Sequence, residues 1–202
     1  DNVTSWVDVR KSPEWSYETG NYVTAVAISE DGEYIVVGSH DSKVYLFDKD
    51  SSTPLWSYDT DQKVTIVDIS ANGDYIVAGN SENPSTTVYL FQKNSSTPLW
   101  NFTTHLDATS VVISANGEYI SIVDTTISAN DHNYMYFFNK NSNTPLWSHE
   151  DVYSAAISAD GEYIVAGTFG KEVLLFDKNS NISIWNYSLE SAYSVSISAD
   201  GE

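Results

Sequence analysis

Short runs of β-branched and aromatic residues alternate with polar turns along the whole chain. In the first complete example, a run rich in Val, Thr and Ala ends at Ile28, and further runs cover 34–37, 44–47 and 55–58. Between the first two runs, Asp31-Gly32 supplies the positive backbone angle that a tight hairpin needs. Apolar runs of this composition between such turns predict four short β-strands, and we predict no helix anywhere.

This four-strand pattern is repeated. The segment ISEDGEYIVVG at 28–38 recurs as ISANGDYIVAG at 69–79, ISANGEYISIV at 113–123 and ISADGEYIVAG at 157–167, and ISADGE at 197–202 begins it again. The first Ile advances by 41, 44, 44 and 40 residues. A lone four-stranded sheet of this size is marginal, so such units stack to bury both faces, and radial stacking gives a propeller. A flat sandwich is the alternative, but it does not explain this period with one Trp per unit.

We therefore predict an all-β fold, a β-propeller of four-stranded antiparallel blades in a single domain. Complete blades are predicted at about 21–61, 62–105, 106–150 and 151–189, with partial blades at 1–20 and 190–202. Residues 6–17 match a third and fourth strand, and residues 193–202 match a first strand and its turn. These ends predict a segment of a larger propeller, or closure through another chain. The repeated tryptophans are predicted to pack between blades, and they are Trp15, Trp56, Trp100, Trp147 and Trp185.

The connections differ in how much their lengths vary. From the Ile of the first strand to the Tyr of the second is always 6 residues, and from the Phe of the third to the Trp of the fourth is always 9. From that Tyr to that Phe is 13, 16, 19 and 13 residues. In an up-and-down meander the first and third connections lie on one face of the disc, the constant-loop face. The second connection and the link between blades lie on the opposite face, the variable-loop face.

The variable-loop face is the predicted binding surface, because variable loops on a rigid frame are where binding usually resides. Drift of loop length is the alternative, since loops tolerate insertions at little cost. The candidate binding residues are His40, Asp41, Asn80, Glu82, His105, Asp107, Asp131, His132 and Phe169. Solvated loop residues without a partner are the alternative interpretation for this set.

Two acidic features have a more specific interpretation. The longest insertion holds hard oxygen ligands of the kind that calcium prefers, although their spacing does not match an EF-hand; they are Asp124, Asn130, Asp131 and Asn133. Asp68 occupies a first-strand position that is small or apolar in the other units. Because a carboxylate there must be hydrogen-bonded or face the channel, we predict a structural hydrogen bond for Asp68.

The composition of the chain makes some classes of binding partner less favourable than others. The chain has 9 Lys and Arg against 28 Asp and Glu, a net charge of -19, which disfavours nucleic acid and anionic lipid surfaces. No apolar run approaches the roughly 20 residues of a membrane span, so we expect no membrane insertion. Asn-glycosylation sequons occur at Asn2, Asn94, Asn101, Asn181 and Asn186. None of these sequons lies in a second connection, so glycans would leave the variable-loop face open.

The repeat resembles two known families. The pattern S-x-D-G-x-Y-I-V-x-G is similar to the WD repeat, with Phe47-Asp48, Phe91-Gln92, Phe138-Asn139 and Phe176-Asp177 in place of Trp-Asp. The segment GEYIVVGSHDSKVYLFDKDSSTPLWSYDT at 32–60 resembles even more closely the repeats of pyrroloquinoline-quinone-type (quinoprotein-like) propellers. Both resemblances imply a propeller. Neither implies one function, because both families host enzymes, assembly platforms and surface adhesins.

The quinoprotein resemblance implies a calcium ion, a catalytic Asp and often a vicinal cysteine pair over the central channel. This chain has no cysteine, and the HExxH, Walker and G-x-S-x-G patterns are absent. We therefore predict no catalysis and no cofactor, and instead a protein- or glycan-binding scaffold of an extracellular or cell-surface protein. The alternatives are an intracellular, cytoplasmic WD-repeat-like scaffold, or a quinoprotein-like dehydrogenase or other enzyme whose active residues lie in further blades. A homo-oligomer or the remaining blades would close the ring.

Overall fold

The computed structural model describes residues 12–81, 85–125, 132–190 and 192–201. The described residues form four antiparallel sheets of four strands each, and every sheet is an up-and-down meander. The first sheet contains β1 (Val23–Ile28), β2 (Tyr34–Ser39), β3 (Lys43–Asp48) and β4 (Trp56–Asp59). The second contains β5 (Val64–Ile69), β6 (Tyr75–Ser81), β7 (Thr86–Gln92) and β8 (Trp100–Thr103).

The third sheet contains β9 (Asp107–Ile113), β10 (Tyr119–Thr125), β11 (Tyr134–Asn139) and β12 (Trp147–Glu150). The fourth contains β13 (Val152–Ile157), β14 (Tyr163–Thr168), β15 (Glu172–Asp177) and β16 (Trp185–Ser188). None of the described residues is helical, and so they include no helix long and apolar enough to cross a membrane. The predicted fold class, a β-propeller built from four-stranded blades, is confirmed.

The turn between the first two strands of each blade depends on one Ser and one Asp or Asn. In the third blade, Ser114 Oγ donates to Asn116 Oδ1 at 2.7 Å and accepts from the backbone N–H of Tyr119 at 3.0 Å. Asn116 Oδ1 also accepts from the N–H of Glu118 at 2.9 Å. The equivalent pairs are Ser29 with Asp31, Ser70 with Asn72, and Ser158 with Asp160. These hydrogen bonds explain the repeated Ser-x-Asp/Asn-Gly pattern, because they satisfy turn groups that no ladder can reach.

Trp56, Trp100 and Trp147 each join one blade to the next, and Trp15 joins the segment before β1 to the first blade. Trp100 Nε1 donates to the carbonyl of Lys140 at 2.7 Å, and its ring stacks on Phe138 with centroids 5.6 Å apart. The equivalent donors Trp15, Trp56 and Trp147 bind the carbonyls of Lys49, Lys93 and Lys178. For Trp56, Trp100 and Trp147 the predicted packing between blades is confirmed, and Trp15 makes the same contact from a segment that forms no strand among the described residues. Trp185, in contrast, is 46% exposed within the described part of the chain.

A second contact between blades uses the Tyr that begins the second strand. Lys93 lies 4.4 Å above the ring centroid of Tyr34, and its Nζ is 2.9 Å from Asp74 Oδ1. From the same neighbouring blade, Gly73 packs against the Tyr34 ring so closely that a Cβ there would lie 2.4 Å from Cδ2. Gly73 has a φ of 72°, so the turn requires a glycine for conformation as well as for space.

The first strands of successive blades converge where their turns meet. Backbone hydrogen bonds join these turns in series: Glu30 N–H to the Ala71 carbonyl at 2.9 Å, Ala71 to Ala115 at 3.0 Å, and Ala159 to Ala199 at 2.9 Å. The turns surround a depression of about 390 Å³ on the constant-loop face, lined by the last Ile of each first strand. Each unit therefore contributes an Ile to this depression, and the lining position two residues after it is Ala in all units except the first, where it is Glu30.

Asp68 confirms the predicted structural hydrogen bond. Its Oδ2 accepts from the backbone N–H of Ile113, in the first strand of the next blade, at 2.8 Å. Burial raises the pKa of Asp68 from 3.8 to about 6, although the backbone hydrogen bonds from Ile113 and Ile69 lower it.

The segment predicted to begin a last blade forms a turn but no strand. The N–H of Gly201 donates to the Ser198 carbonyl at 3.2 Å, as in the other units. Residues 192–197, which correspond to a first strand, form no β-ladder within the described residues. A strand is defined by hydrogen bonds to a neighbour, and the sequence pattern cannot supply that neighbour.

Candidate functional site

On the variable-loop face, three of the four blades have a buried or half-buried polar side chain that forms several hydrogen bonds within the protein. In the first blade, Asp41 Oδ2 accepts from the Tyr45 hydroxyl and from the Gly20 N–H, both at 2.7 Å. Its Oδ1 accepts from the Lys43 N–H at 3.1 Å. Burial raises the pKa of Asp41, but the hydrogen bonds from Tyr45 and Gly20 outweigh burial and lower it below its ordinary value. Asp41 therefore has a structural role, in addition to its predicted place on this face.

The second and third blades have such a side chain too, Asn80 and Asp124 respectively. Asn80 is fully buried, donates to the Thr60 carbonyl at 2.8 Å and accepts from the Thr87 N–H at 3.0 Å. In the third blade, Asp124 Oδ1 accepts from the Tyr134 N–H at 2.8 Å, and Oδ2 accepts from the Tyr136 hydroxyl at 3.3 Å. Burial raises the pKa of Asp124 against these hydrogen bonds. Asn80 is thus enclosed by the protein, and a partner on the surface cannot reach it.

Among the predicted calcium ligands, the structure describes Asp124 and Asn133. Asn133 is buried, and its carbonyl accepts from the Asp151 N–H at 2.7 Å. Asn130 and Asp131 lie outside the described residues, as do the predicted Glu82 and the sequon residue Asn2. Within the described ranges, no group of three or more His, Asp or Glu side chains has a geometry that could hold a metal ion. The calcium site stays a prediction.

The predicted histidines do not converge. His40 pairs edge to face with Tyr22 in the first blade, with ring centroids 6.3 Å apart. His105 is exposed in the link between β8 and β9. His132 Nδ1 lies 3.8 Å from both Glu150 Oε2 and Asp151 Oδ1, in the third blade and the link that follows it. Asp107 accepts from Ser81 Oγ at 3.5 Å. The predicted polar residues are therefore distributed around the face rather than gathered into one site.

The fourth blade has a different arrangement on this face. Where the third strands of the first three blades carry Tyr45, Tyr89 and Tyr136, β15 carries Leu174. The turn before β15 is held instead by Thr168, whose Oγ1 accepts from the Glu172 N–H at 3.1 Å. The turn residue Phe169 is 49% exposed.

Phe169 belongs to an aromatic cluster, which we define as Tyr153, Phe169 and Tyr193. The ring centroids of Tyr153 and Phe169 are 5.0 Å apart, and those of Tyr153 and Tyr193 are 5.6 Å apart. Both pairs are edge to face, with interplanar angles of 76° and 75°. The cluster borders a depression of about 180 Å³, and the other lining residues are Thr168, Lys171, Glu190 and Ala192.

A β-bulge places Tyr153 in this cluster. Val152 pairs with Thr168 and Ser154 pairs with Gly167, so Tyr153 is the extra residue on its strand. The same position holds Thr24, Thr65 and Thr109 in the other blades. A bulge turns a side chain away from the regular pleat. Phe169 was predicted from the sequence, whereas Tyr153 and Tyr193 were not. The replacement of Thr by Tyr at the bulge position of the repeat is the signal that could have identified them.

The variable-loop face is acidic around the cluster. Its described strand ends, turns and links present the exposed or half-buried acids Asp41, Asp59, Asp61, Asp107, Glu150, Asp151, Glu172 and Glu190. The same elements present the lysines Lys43, Lys63 and Lys171. On the constant-loop face, by comparison, Lys49, Lys93, Lys140 and Lys178 each form an ion pair with a nearby acid. The constant-loop face also presents more acids than lysines, so the negative charge attracts cationic partners to both faces and does not by itself select the variable-loop face.

The described sequon residues lie away from the cluster. Asn94 and Asn181 are exposed in the turns before β8 and β16, and Asn101 and Asn186 are exposed on those outermost strands. This placement agrees with the prediction that none of these sequons lies in a second connection of the variable-loop face.

Comparison with known proteins supports one of the two family resemblances. The family model for the WD domain, G-beta repeat, matches residues 12–48 and 141–186. The two matches together cover less than half of the chain, and they lie in the first blade with its preceding segment and in the last two blades. No curated protein matches the chain at a significant level. The pyrroloquinoline-quinone-type resemblance receives no support from these matches.

Proposed function

We propose that this chain is a non-catalytic protein-interaction scaffold that binds its partner on the variable-loop face at the aromatic cluster. The observation that carries the proposal is the exposure of Tyr153, Phe169 and Tyr193 together on the face where the loops vary. In the other blades the position of Tyr153 is held by Thr24, Thr65 or Thr109, so no tyrosine lies at their bulges.

Aromatic rings that contact water raise the free energy of the unbound protein, and a partner that covers them removes this cost. Contiguous apolar patches with a polar rim mark interaction sites on soluble proteins, and Tyr is enriched among the residues that contribute most binding energy. The WD-domain matches agree, because WD repeat domains typically bind protein partners and are generally non-enzymatic. The rest of the face offers few such groups, since Asp41, Asn80 and Asp124 are engaged within their own blades.

A selection from displayed peptides tests the site. The purified 202-residue chain is used to select linear peptides from a random library, and p-benzoylphenylalanine replaces either Phe169 or Asn94 for photocrosslinking. We expect enriched peptides to crosslink at position 169 and not at position 94, which is exposed on the constant-loop face. Crosslinking at position 94 alone, or a selection without enrichment, would contradict the proposal.

For location, we propose an extracellular or cell-surface protein, and a location inside the cell fits the WD-domain matches at least as well. The supporting observation is that Asn94, Asn101, Asn181 and Asn186 are all exposed, as glycosylation requires. Intact-mass measurement of natively produced protein separates the two locations. A mass above that of the bare chain, reduced by a glycosidase, supports the extracellular proposal, and a bare mass favours the intracellular scaffold.

A further inference from the structure

We infer that the depression at the aromatic cluster binds the cationic side chain of a lysine or arginine, presented by an extended basic segment of the partner. The inference rests on the proposed function and specifies the chemistry that the site recognises.

The size of the depression suits one side chain. At about 180 Å³ it is smaller than the roughly 300–1,000 Å³ of pockets that enclose small molecules. It is also open to solvent on one side, since Tyr153 is 37% exposed and Tyr193 is 72% exposed. A long, unbranched side chain on an extended backbone can enter such a depression without a large rearrangement of either partner.

The arrangement of the rings favours a positive charge. Tyr153 meets Phe169 and Tyr193 at nearly right angles, so the three rings form a corner rather than a flat stack. The faces of aromatic rings carry negative charge density, and a cation within about 6 Å of a ring centroid is attracted to it. Neighbouring centroids are 5.0 and 5.6 Å apart, so a cation in the depression lies close to the cluster as a whole.

The charged residues around the depression also favour a bound cation, with the exception of Lys171. Glu190 lines the depression, and Glu172 and Asp151 lie in the elements that flank it. The whole chain carries a net charge of -19, which steers basic segments toward it. Lys171 also lines the depression and opposes a bound cation. Lys171 therefore provides a test, because removing its charge strengthens the binding of a cation and weakens that of an anion.

The experiment measures binding of four peptides, Gly-Ser-Gly-X-Gly-Ser-Gly, in which X is lysine, trimethyl-lysine, arginine or norleucine. Proton NMR of the aromatic resonances gives the dissociation constants. We expect the three cationic peptides to bind about 3- to 30-fold more tightly than the norleucine peptide, since aromatic rings attract a nearby cation. Glu190→Gln should weaken the cationic peptides, and Lys171→Gln should strengthen them.

Ring substitutions locate the effect. Tyr153→Ala and Tyr193→Ala should each weaken the cationic peptides by about 3- to 30-fold, while Tyr193→Phe, which keeps the ring, retains most of the affinity. Tyr22→Ala is the matched control, because Tyr22 is 78% exposed but lies in the first blade beside His40. Circular dichroism of each variant establishes that the fold is unchanged.

Three outcomes overturn the inference. They are equal binding of norleucine and cationic peptides, dissociation constants above about 10 mM for all cationic peptides, and displacement of the bound peptide by the neutral oligosaccharide maltoheptaose with no preference for charge. The displayed-peptide selection separates this failure from failure of the proposed function. If enriched peptides crosslink at position 169 but lack Lys and Arg, the scaffold proposal stands and the cation site does not.

Discussion

At the scale of single residues, Asp68 destabilises the fold at neutral pH. Its pKa is raised from 3.8 to about 6 by burial, so the folded state binds a proton more tightly than the unfolded state. The contribution of this group to stability is therefore greatest below about pH 4, falls as the pH rises through the window from 3.8 to about 6, and stays low above it. A change of this size corresponds to about 3 kcal/mol.

Replacing this carboxyl group tests that account. Asp68→Asn keeps an acceptor oxygen for the Ile113 N–H and removes the charge. We expect the variant to be more stable than the wild type at pH 7, by about 1–3 kcal/mol, and to differ little from it at pH 4. Urea denaturation at the two pH values measures this difference. A gain in stability that is the same at both would assign the effect to packing and not to ionisation.

The structural role of a residue was predictable where the residue recurs at a fixed position of the repeat. The glycine of the first turn, the tryptophans between blades and the hydrogen bond of Asp68 were predicted from position within the unit, whereas the hydrogen bonds of Ser114 and its equivalents were not. The role of Asn80 did not follow, because its burial depends on how the turn folds back onto the Thr60 carbonyl. The cluster around Tyr153 required knowledge that a bulge and the segment of the following unit place separate rings together.

At the scale of elements, the first turn of one blade packs against the Tyr of the blade before it. Gly161 has a φ of 77°, and a Cβ there would lie 2.3 Å from Tyr119 Cδ2. Gly32 has nearly the same φ, 74°, but a Cβ there would meet nothing within 4 Å. The two glycines therefore share a conformational requirement and differ in packing.

Alanine at each glycine separates those two effects. Gly32→Ala should cost about 1 kcal/mol, because an L-residue is disfavoured in the left-handed region. Gly161→Ala should cost about 2 kcal/mol more, because the added methyl group displaces the Tyr119 ring. Urea denaturation of the two variants measures the difference in the free energy of unfolding. Equal losses would show that the contact between the blades tolerates the added group.

The tryptophan contact offers a second comparison. Trp100→Phe removes the donor to the half-buried Lys140 carbonyl and should cost about 1 kcal/mol or more, near the lower end of the range for leaving an acceptor without its partner. Trp185→Phe should change stability by less than about 0.5 kcal/mol in this chain, because Trp185 is 46% exposed. The melting temperature of each variant measures the loss of stability. Similar losses at the two positions would contradict the view that Trp100 joins two blades whereas Trp185 does not.

At the scale of the whole molecule, self-repulsion opposes folding. With a net charge of -19, the compact state brings like charges together, and salt screens them over about 10 Å at 0.1 M. Raising sodium chloride from 20 to 500 mM should stabilise the fold by about 1 kcal/mol, or roughly 2–4 °C in the melting temperature. The triple variant Asp59→Asn, Asp61→Asn and Asp107→Asn should respond less. A melting temperature that falls with salt would mean that the exposed lysine ion pairs outweigh the repulsion.

The sequence by itself determined the fold of this protein and the face on which binding is expected. Strand identity, turn chemistry and the contacts between blades are repeated at fixed spacings, so local composition and periodicity are sufficient to specify them. Only the tertiary structure decided which side chains on that face are available. Asn80 is buried, and Asn80, Asp41 and Asp124 are engaged by hydrogen bonds to residues distant in the chain. In the fourth blade, by contrast, the bulge position shared by all blades holds Tyr153, which lies next to Phe169. Burial and convergence of this kind depend on distances across strands, which a linear pattern does not contain.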